Sequence, residues 1–416
     1  MNIFFAGVGG VGIGPLAHIA IDAGYDVQGS DRSESNMVQG LRDRGISIST
    51  DGDDGSFLRA CHEAKPIDWF VYTSALPDTH PELVLARQLG IKTAKRDELL
   101  AYIIAEKNLK LIAVAGTHGK TTTTGMLVWI FQQLGIPLSY SVGTTLRFGP
   151  SGKFDPQSEY FVYECDEFDR NFLHFHPYLS LILSIDYDHP DIYPTPKDYT
   201  DAFDQFIHQS DMTIMWQKDT EGIQPPQNSW VLQDNEVLDL KLPGAHNRQN
   251  GTLAVKAMEF LTISSREEVT EIVQRFPGTD RRFERLGDNL YTDYGHHPAE
   301  ITAMLQLARE VSDHVTLVYQ PHQNVRQHEI RNDYRHCFAG ADEVYWLPTY
   351  LSREDPNLPI LSPEALTKEI DNTEIIISDL NDELWNAIQR ARHAGNLVLV
   401  MGAGNIDGWV RDRLRV

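Results

Sequence analysis

Residues 115–122 have the types and spacing of a loop that binds the phosphates of a nucleotide. The segment follows an apolar run and opens a helical pattern, and its glycines let backbone N–H groups approach an anion at the helix N-terminus. We expect Lys120 to reach the terminal phosphates of ATP and the hydroxyl of Thr121 to hold Mg²⁺. The predicted nucleotide contacts are Gly116, Thr117, His118, Gly119, Lys120, Thr121 and Thr122.

This loop is shorter than the standard form, because only two residues separate Gly116 from Gly119. A plain glycine turn with an ordinary surface lysine is therefore the structural alternative. The run Gly-Lys-Thr-Thr at the junction of a predicted strand and a predicted helix favours the phosphate loop.

A second glycine motif, Gly-Val-Gly-Gly-Val-Gly, occupies residues 7–12 after the first predicted strand. Asp31 ends the second predicted strand, where the acid of a dinucleotide site contacts a ribose. An NAD-dependent oxidoreductase is one interpretation, and a structural turn without a ligand is another. The same geometry can receive the pyrophosphate of a different nucleotide, with Asp31 near its ribose or base. The predicted substrate contacts at this edge are Gly9, Gly10, Val11, Gly12, Asp31, Ser74 and Ala75.

Composition excludes several classes of protein. The 416 residues are 41% apolar and 23% charged, with a formal net charge of -23. This charge argues against a nucleic-acid partner, which needs clustered cations, and against docking on anionic lipid. Three widely spaced cysteines favour a reducing compartment, and no apolar run reaches the ~20 residues of a spanning helix. We expect a soluble cytoplasmic protein, either a monomer or a homodimer.

Short apolar runs alternate with helical patterns along the whole chain, which is typical of parallel sheets covered by helices. We predict an α/β fold of three domains: a Rossmann-like domain over residues 1–106, a central domain with a parallel sheet of the P-loop ATPase type over 107–276, and a Rossmann-like domain over 277–416. Predicted strands cover residues 3–6, 27–30, 69–73, 111–115, 161–163, 179–185, 315–319, 344–347, 375–378 and 397–401, and predicted helices cover 13–23, 120–134 and 247–261.

The phosphate loop and the motifs around it resemble the Mur ligases, which assemble the peptide of bacterial cell-wall precursors. The similar motifs occur in collinear order over essentially the whole chain. They are residues 7–12, Gly29-Ser30-Asp31, Thr73-Ser74-Ala75, residues 116–124, Glu164-Cys165-Asp166-Glu167, Asp188-His189, His246-Asn247-Arg248-Gln249-Asn250, Arg281-Arg282-Phe283-Glu284, residues 293–298, Gln320-Pro321-His322 and residues 401–404.

The resemblance implies a role for each domain: the first holds a UDP-sugar, the second holds ATP and the third brings the incoming amine. It implies that Thr121, Glu164 and His189 are Mg²⁺ ligands, which suits the preference of this ion for hard oxygens. The implied contacts to the adenine side of ATP are His246, Asn247, Asn250, Arg281 and Asp293, and the implied amine site comprises His296, His297, His322 and Arg326, with Thr144 and Thr145 near the sugar-linked acid. Without the resemblance, a solvated turn acid at Glu164 and a loop histidine at His189 would be the favoured interpretations.

The implied reaction is an ATP-dependent amide synthesis, in which Lys120, Glu164, His189, His297, His322 and Arg326 would take part. The carboxylate of UDP-N-acetylmuramate would attack the γ-phosphate of ATP, and an amine would then attack the acyl phosphate. The amine must lose a proton, and His297, His322 and phosphate itself are all candidates for the base.

Several positions depart from the pattern of the family members that add L-alanine. Thr292 precedes Asp293 where an aspartate is usual, and Gln323 stands where arginine is common. Residues 167–169 and 188–193 are closer to the ligase that attaches a recycled tripeptide to the same UDP-sugar. The amine is therefore L-alanine, another small amino acid or a peptide.

Overall fold

A computed structural model of the chain describes residues 1–10, 12–52, 54–73, 76–189, 192–352, 354–371 and 373–415. The described residues form three sheets, and nearly all neighbouring strands run parallel. This confirms the predicted α/β fold class. Within the described part, no helix has both the length and the apolarity that crossing a membrane requires.

The first sheet has the strand order β3-β2-β1-β4-β5 and is entirely parallel. Its elements are β1 (Asn2–Ala6), α1 (Ile13–Asp22), β2 (Asp26–Ser30), α2 (Asn36–Asp43), β3 (Ser47–Ser49), α3 (Ser56–Ala64), β4 (Trp69–Tyr72), α4 (Pro81–Gln88), β5 (Lys92–Lys95) and α5 (Arg96–Glu106). All five residues of β1 are buried, and every one after Asn2 is apolar, as expected for the centre of a sheet with helices on both faces.

The second sheet has the order β12-β11-β10-β6-β9-β7-β8, in which only the pair β7 and β8 is antiparallel among the described strands. Its elements are β6 (Lys110–Ala115), α6 (Lys120–Gln133), β7 (Ser139–Ser141), β8 (Gly152–Lys153), β9 (Tyr160–Glu164), β10 (Leu179–Ile182), α7 (Pro196–His208), β11 (Thr213–Trp216), β12 (Ser229–Leu232), α8 (Ala245–Leu261) and α9 (Arg266–Gln274). Strands β9 and β10 flank β6, so the segments that follow all three meet at one edge of the sheet.

The third sheet has the order β13-β14-β18-β15-β16-β17, with β13 antiparallel to β14. Its elements are β13 (Glu284–Gly287), β14 (Leu290–Asp293), α10 (Pro298–Val311), β15 (Val315–Tyr319), α11 (Asn324–Ile330), β16 (Glu343–Trp346), α12 (Pro363–Thr367), β17 (Glu374–Ile377), α13 (Asp382–His393), β18 (Leu397–Met401) and α14 (Ile406–Leu414). Alternate side chains of β18 enter two separate apolar cores, one on each face of the sheet.

The chain folds into two compact units: residues 1–237 with 251–276, and residues 238–250 with 277–416. The first two sheets lie in the same unit because one continuous apolar core contains residues from both. Residues 238–250 were predicted to belong to the central domain but group with the C-terminal unit. Two hydrogen bonds explain this difference: the N–H of Gly244 and the guanidinium of Arg248 both donate to Glu310, at 2.8 and 2.9 Å.

One predicted strand, residues 179–185, ends earlier than expected, at Ile182. The residues that follow leave the sheet to hold the phosphate loop. The carbonyl of Ser184 accepts the N–H of Thr117 at 3.0 Å, and the N–H of Asp186 donates to the Thr117 hydroxyl at 2.9 Å. Apolar composition alone does not distinguish these residues from the strand.

Candidate active site

The loop between β6 and α6 requires glycine at two positions. Gly116 has φ of +135° and Gly119 has φ of +83°, and side chains rarely adopt either conformation. A Cβ at Gly116 would also lie 2.9 Å from the backbone nitrogen and oxygen of Ser184. Packing against the segment after β10 therefore also requires glycine at position 116.

Two of the loop amides expected to face phosphates donate hydrogen bonds within the protein. The N–H of Thr117 donates to the carbonyl of Ser184, and the N–H of His118 donates to the Ser184 hydroxyl at 3.1 Å. The Thr117 hydroxyl also lies 2.9 Å from the hydroxyl of Tyr199. These contacts hold the first half of the loop in one conformation.

Lys120 lies at the start of α6 and donates to the carbonyl of Gly116 at 2.6 Å and to Glu167 Oε2 at 2.7 Å. Burial opposes the charged form of this lysine, but the carboxylates of Glu167, Asp166 and Glu164 outweigh burial and raise the pKa of Lys120. The ammonium is therefore charged at neutral pH, as binding of a phosphate requires.

Thr121 and Glu164, two of the predicted Mg²⁺ ligands, are in contact. The Thr121 hydroxyl donates to Glu164 Oε1 at 2.7 Å, and the N–H of Gly143 donates to Glu164 Oε2 at 2.7 Å. The half-buried Thr144 and the exposed Thr145 follow Gly143 directly. The Glu164 carboxylate at the end of β9 thus contacts both the phosphate loop and the segment predicted to lie near the sugar-linked acid.

His189, the third predicted ligand, contacts other acids. Its Nε2 lies 3.8 Å from Glu167 Oε1 and 3.7 Å from Asp188 Oδ2, and its ring packs edge-on against Phe168. Among the described residues, no three His, Cys, Asp or Glu side chains form a cluster that could hold a metal ion. Of the three predicted Mg²⁺ ligands, only Thr121 and Glu164 are described in direct contact with each other.

Glu167 was not predicted to be a site residue, although it belongs to the acidic run that follows β9. It is buried, with 1% of its surface exposed, and it is the acid that reaches Lys120. The signal in the sequence was three acids within residues 164–167. Spacing along the chain does not tell which acid turns toward the loop.

The N-terminal glycine motif forms a turn that Asp31 holds. Asp31 Oδ2 accepts the N–H of Gly9 at 2.7 Å, and Asp31 Oδ1 accepts the N–H of Ser33 at 3.2 Å. Gly10 lies in the turn and Gly12 precedes α1. The predicted contacts Val11, Ser74 and Ala75 lie outside the described residues.

The residues predicted near adenine all lie in the C-terminal unit. His246 lies in the first turn of α8, and burial lowers its pKa to about 4. Asn247 donates to the carbonyl of Pro243 at 2.9 Å, and Asn250 is buried.

Arg281 and Asp293 shape the neighbouring loops of this unit. Arg281 donates to the carbonyl of Gly402 at 2.9 Å. The buried Asp293 accepts the N–H groups of Gly295 and Phe283 at 2.7 and 2.8 Å, and burial raises its pKa to about 6. Both side chains therefore have partners inside their own unit.

His296, His322 and Arg326, three of the residues predicted to form an amine site, lie close together. Arg326 Nη1 bonds to His296 Nε2, and the rings of His296 and His322 are 5.4 Å apart. Because a guanidinium only donates, Nε2 of His296 accepts, which leaves its proton on Nδ1, 3.3 Å from the carbonyl of Tyr294. Burial lowers the pKa of His296 to about 4, so this ring is neutral at pH 7.

The adjacent His297 has a different environment. It precedes α10, and its Nδ1 accepts the N–H of Ala299 at 3.5 Å while its own N–H donates to Glu300 at 3.1 Å. These bonds cap the helix. The two adjacent histidines therefore have different contacts: His296 bonds to Arg326, and His297 caps α10.

Three family models match the chain. They are described as Mur ligase family, catalytic domain, over residues 2–108, Mur ligase middle domain over 114–232, and Mur ligase, glutamate ligase domain, over 281–404. The glycine motif at residues 7–12 lies inside the first match, which favours a Mur ligase over an NAD-dependent oxidoreductase.

Known proteins are similar along the whole chain. A UDP-N-acetylmuramate–L-alanine ligase of Carboxydothermus hydrogenoformans is 31% identical over 98% of this chain and 95% of its own. A protein of the same name from Renibacterium salmoninarum is 30% identical over 97% and 93%.

Two solved structures share the fold. The UDP-N-acetylmuramate-alanine ligase MurC of Thermotoga maritima has a TM-score of 0.78 at 24% identity, covering 100% of this chain and 98% of that one. A murein peptide ligase of Psychrobacter arcticus has a TM-score of 0.65 at 23% identity with the same coverage. The relatives, the three matched segments and the loop geometry together show that the chain belongs to the Mur ligase family of ATP-dependent, amide-forming ligases.

Proposed function

We propose that this ligase joins L-alanine to the carboxylate of UDP-N-acetylmuramate, a step in the synthesis of peptidoglycan precursors. The proposed domains are residues 1–106 for the UDP-sugar, 107–276 for ATP and 277–416 for the amine. The net charge of -23 favours small-molecule partners over nucleic acid or membrane. We propose a cytoplasmic monomer or homodimer.

The residues of the phosphate loop fit ATP and Mg²⁺. Lys120 offers a charged ammonium, and the oxygens of Thr121 and Glu164 are hard donors 2.7 Å apart. With His189 they would hold the ion, which neutralises charge on the phosphates when bound. The carboxylate of Glu167 pairs with the ammonium of Lys120 and also lies near Nε2 of His189.

The proposed reaction begins when the substrate carboxylate attacks the γ-phosphorus of ATP and ADP leaves, giving an acyl phosphate. Lys120 and the helix N-terminus stabilise the charge of the transferred group. The neutral amine then attacks the acyl carbon, and the tetrahedral intermediate expels phosphate and forms the amide. Phosphate is a far better leaving group than oxide, which is why the carboxylate must first be phosphorylated.

In the C-terminal unit we assign Arg326 to the carboxylate of the amino acid. His296, which is neutral and accepts from Arg326, would orient the guanidinium. Of the three candidate bases, His297 has its Nδ1 engaged by the N–H of Ala299 at the start of α10, which favours His322 or phosphate as the base.

One observation carries the proposal: a single carboxylate, Glu164, binds both the phosphate loop at Thr121 and the N–H of Gly143 beside Thr144 and Thr145. This shared contact supports a candidate acid-binding segment beside the phosphate loop. The test is ADP release with UDP-N-acetylmuramate against L-alanine, glycine, L-serine and the tripeptide. We expect L-alanine to give the highest kcat/KM, and turnover with none of the amines would overturn the assignment.

A tripeptide ligase is the second candidate. It is supported by residues 167–169 and 188–193, of which Pro190 and Asp191 lie outside the described residues. Preference for the tripeptide in the same assay would favour this candidate, with the reaction class unchanged.

A further inference from the structure

The ion pair between Lys120 and Glu167 is largely shielded from solvent. The Lys120 ammonium lies 2.7 Å from Glu167 Oε2, and only 15% and 2% of the two side chains are exposed. The backbone carbonyl of Glu167 accepts the hydroxyl of Tyr193 at 2.5 Å, which fixes the main chain at this position. The carboxylate is therefore held where it meets the lysine.

The second oxygen of Glu167 is tied to the same loop by another route. The hydroxyl of Tyr199 donates to Glu167 Oε1 at 3.4 Å and lies 2.9 Å from the hydroxyl of Thr117. Lys120 in turn donates to the carbonyl of Thr117 at 3.3 Å. Lys120, Glu167, Tyr199 and Thr117 thus form a closed ring of polar contacts that spans the phosphate loop.

A lysine side chain has four rotatable bonds, and confining its ammonium to one place costs conformational entropy. In this protein, the ion pair with Glu167 confines the ammonium. A group that is already in place when charge develops on the transferred phosphoryl requires no reorganisation during the reaction. The same carboxylate also competes with phosphate for the ammonium, because both are anionic partners of one cation.

We propose that Glu167 is the positioning residue of the phosphate loop, because it sets the location of the Lys120 ammonium for phosphoryl transfer. Its negative charge also weakens the attraction of this ammonium for the phosphates of the nucleotide. This inference rests on the proposed binding of ATP at the loop. It assigns Glu167 no contact with substrate.

The test is Glu167→Gln, which keeps the shape and removes the charge. We expect kcat for ADP release to fall about 100-fold, as is typical when a reacting group is misplaced by about 1 Å. The Kd of a non-hydrolysable ATP analogue should stay the same or decrease, because the competing anion is gone. A purely structural role would weaken binding and turnover together.

Glu159→Gln is the matched control. Glu159 pairs with Lys110 at 2.6 Å at the opposite ends of the same two strands, where both side chains are exposed. This variant removes the same charge from a lysine–glutamate pair in the same sheet. We expect its kcat and analogue Kd to equal those of the wild type.

If Glu167→Gln does not fold, Tyr199→Phe decides, since it removes only the hydroxyl that joins Thr117 to Glu167. We expect a smaller loss of kcat, about tenfold, with unchanged analogue binding. A kcat within about twofold of wild type in the folded variant would overturn the proposal. Failure of the proposed function is distinguishable, because the wild type would then release no ADP with UDP-N-acetylmuramate and L-alanine while still binding the analogue.

Discussion

The hydroxyl of Thr121 donates to one oxygen of Glu164 at 2.7 Å, while the other oxygen of this carboxylate accepts the N–H of Gly143. Thr121 belongs to the first turn of α6 and Glu164 is the last residue of β9. Their contact exists because β9 lies beside β6, the strand that leads into the loop.

Replacing Thr121 with valine removes the hydroxyl while keeping the branched shape. We expect the Mg²⁺ concentration for half-maximal ADP release to rise about tenfold, because a hard oxygen ligand is lost. Thr121→Ser keeps the hydroxyl and should retain the wild-type requirement. Equal Mg²⁺ titrations for the valine and serine variants would exclude Thr121 as a ligand.

Lys120→Ala should reduce the rate of ADP release by a factor of about 100 or more, because no other lysine or arginine in the described loop can replace the ammonium. Binding of UDP-N-acetylmuramate, measured by calorimetry without ATP, should be unchanged. Lys110→Ala is the control, since this lysine lies at the other end of β6 in an exposed ion pair. Near-normal turnover of Lys120→Ala would show that Lys120 is not the phosphate ligand.

Gly116→Ala should lower the free energy of unfolding by about 3 kcal/mol and weaken ATP binding, because φ of +135° is almost exclusive to glycine and the Cβ would meet Ser184. Gly135→Ala is the matched comparison. Gly135 follows the same helix with φ of +67° and has no atom within 4 Å of its added Cβ. We expect a cost of about 1 kcal/mol there. Equal costs in urea denaturation would contradict the packing argument.

The stability of the C-terminal unit should fall in acid because of His246. Its folded pKa is about 4, below the ordinary value of 6.5, so between these two pH values the unfolded chain binds a proton that the folded protein does not. The stabilisation is fully present above pH 6.5 and is lost as pH falls toward 4, by up to about 3 kcal/mol.

His246→Gln removes this titration. Unfolding curves at pH 7 and pH 4.5 should therefore lie closer together for the variant than for the wild type. Parallel pH dependence of the two proteins would show that His246 is not the group responsible.

Much of the local structure was predictable because its causes are local. Alternating apolar runs and helical periods predicted ten strands distributed over the three sheets and three helices, with ends shifted by a few residues. The phosphate loop was predictable because its signal, the run Gly-Lys-Thr-Thr at the junction of a strand and a helix, lies within one short stretch of the chain. Strand 179–185 was too long because the bonds from Ser184 and Asp186 to Thr117 are not encoded nearby.

The sequence by itself determined the α/β class, the collinear motifs and the chemistry of the loop, because residue type and short-range spacing control backbone conformation and charge. Only the tertiary structure decided which acid of residues 164–167 meets Lys120, which of His296 and His297 faces Arg326, and which unit receives residues 238–250. Each of these depends on contacts between residues far apart in the chain. The spatial order of the strands in each sheet creates such contacts, and local spacing in the sequence does not specify that order.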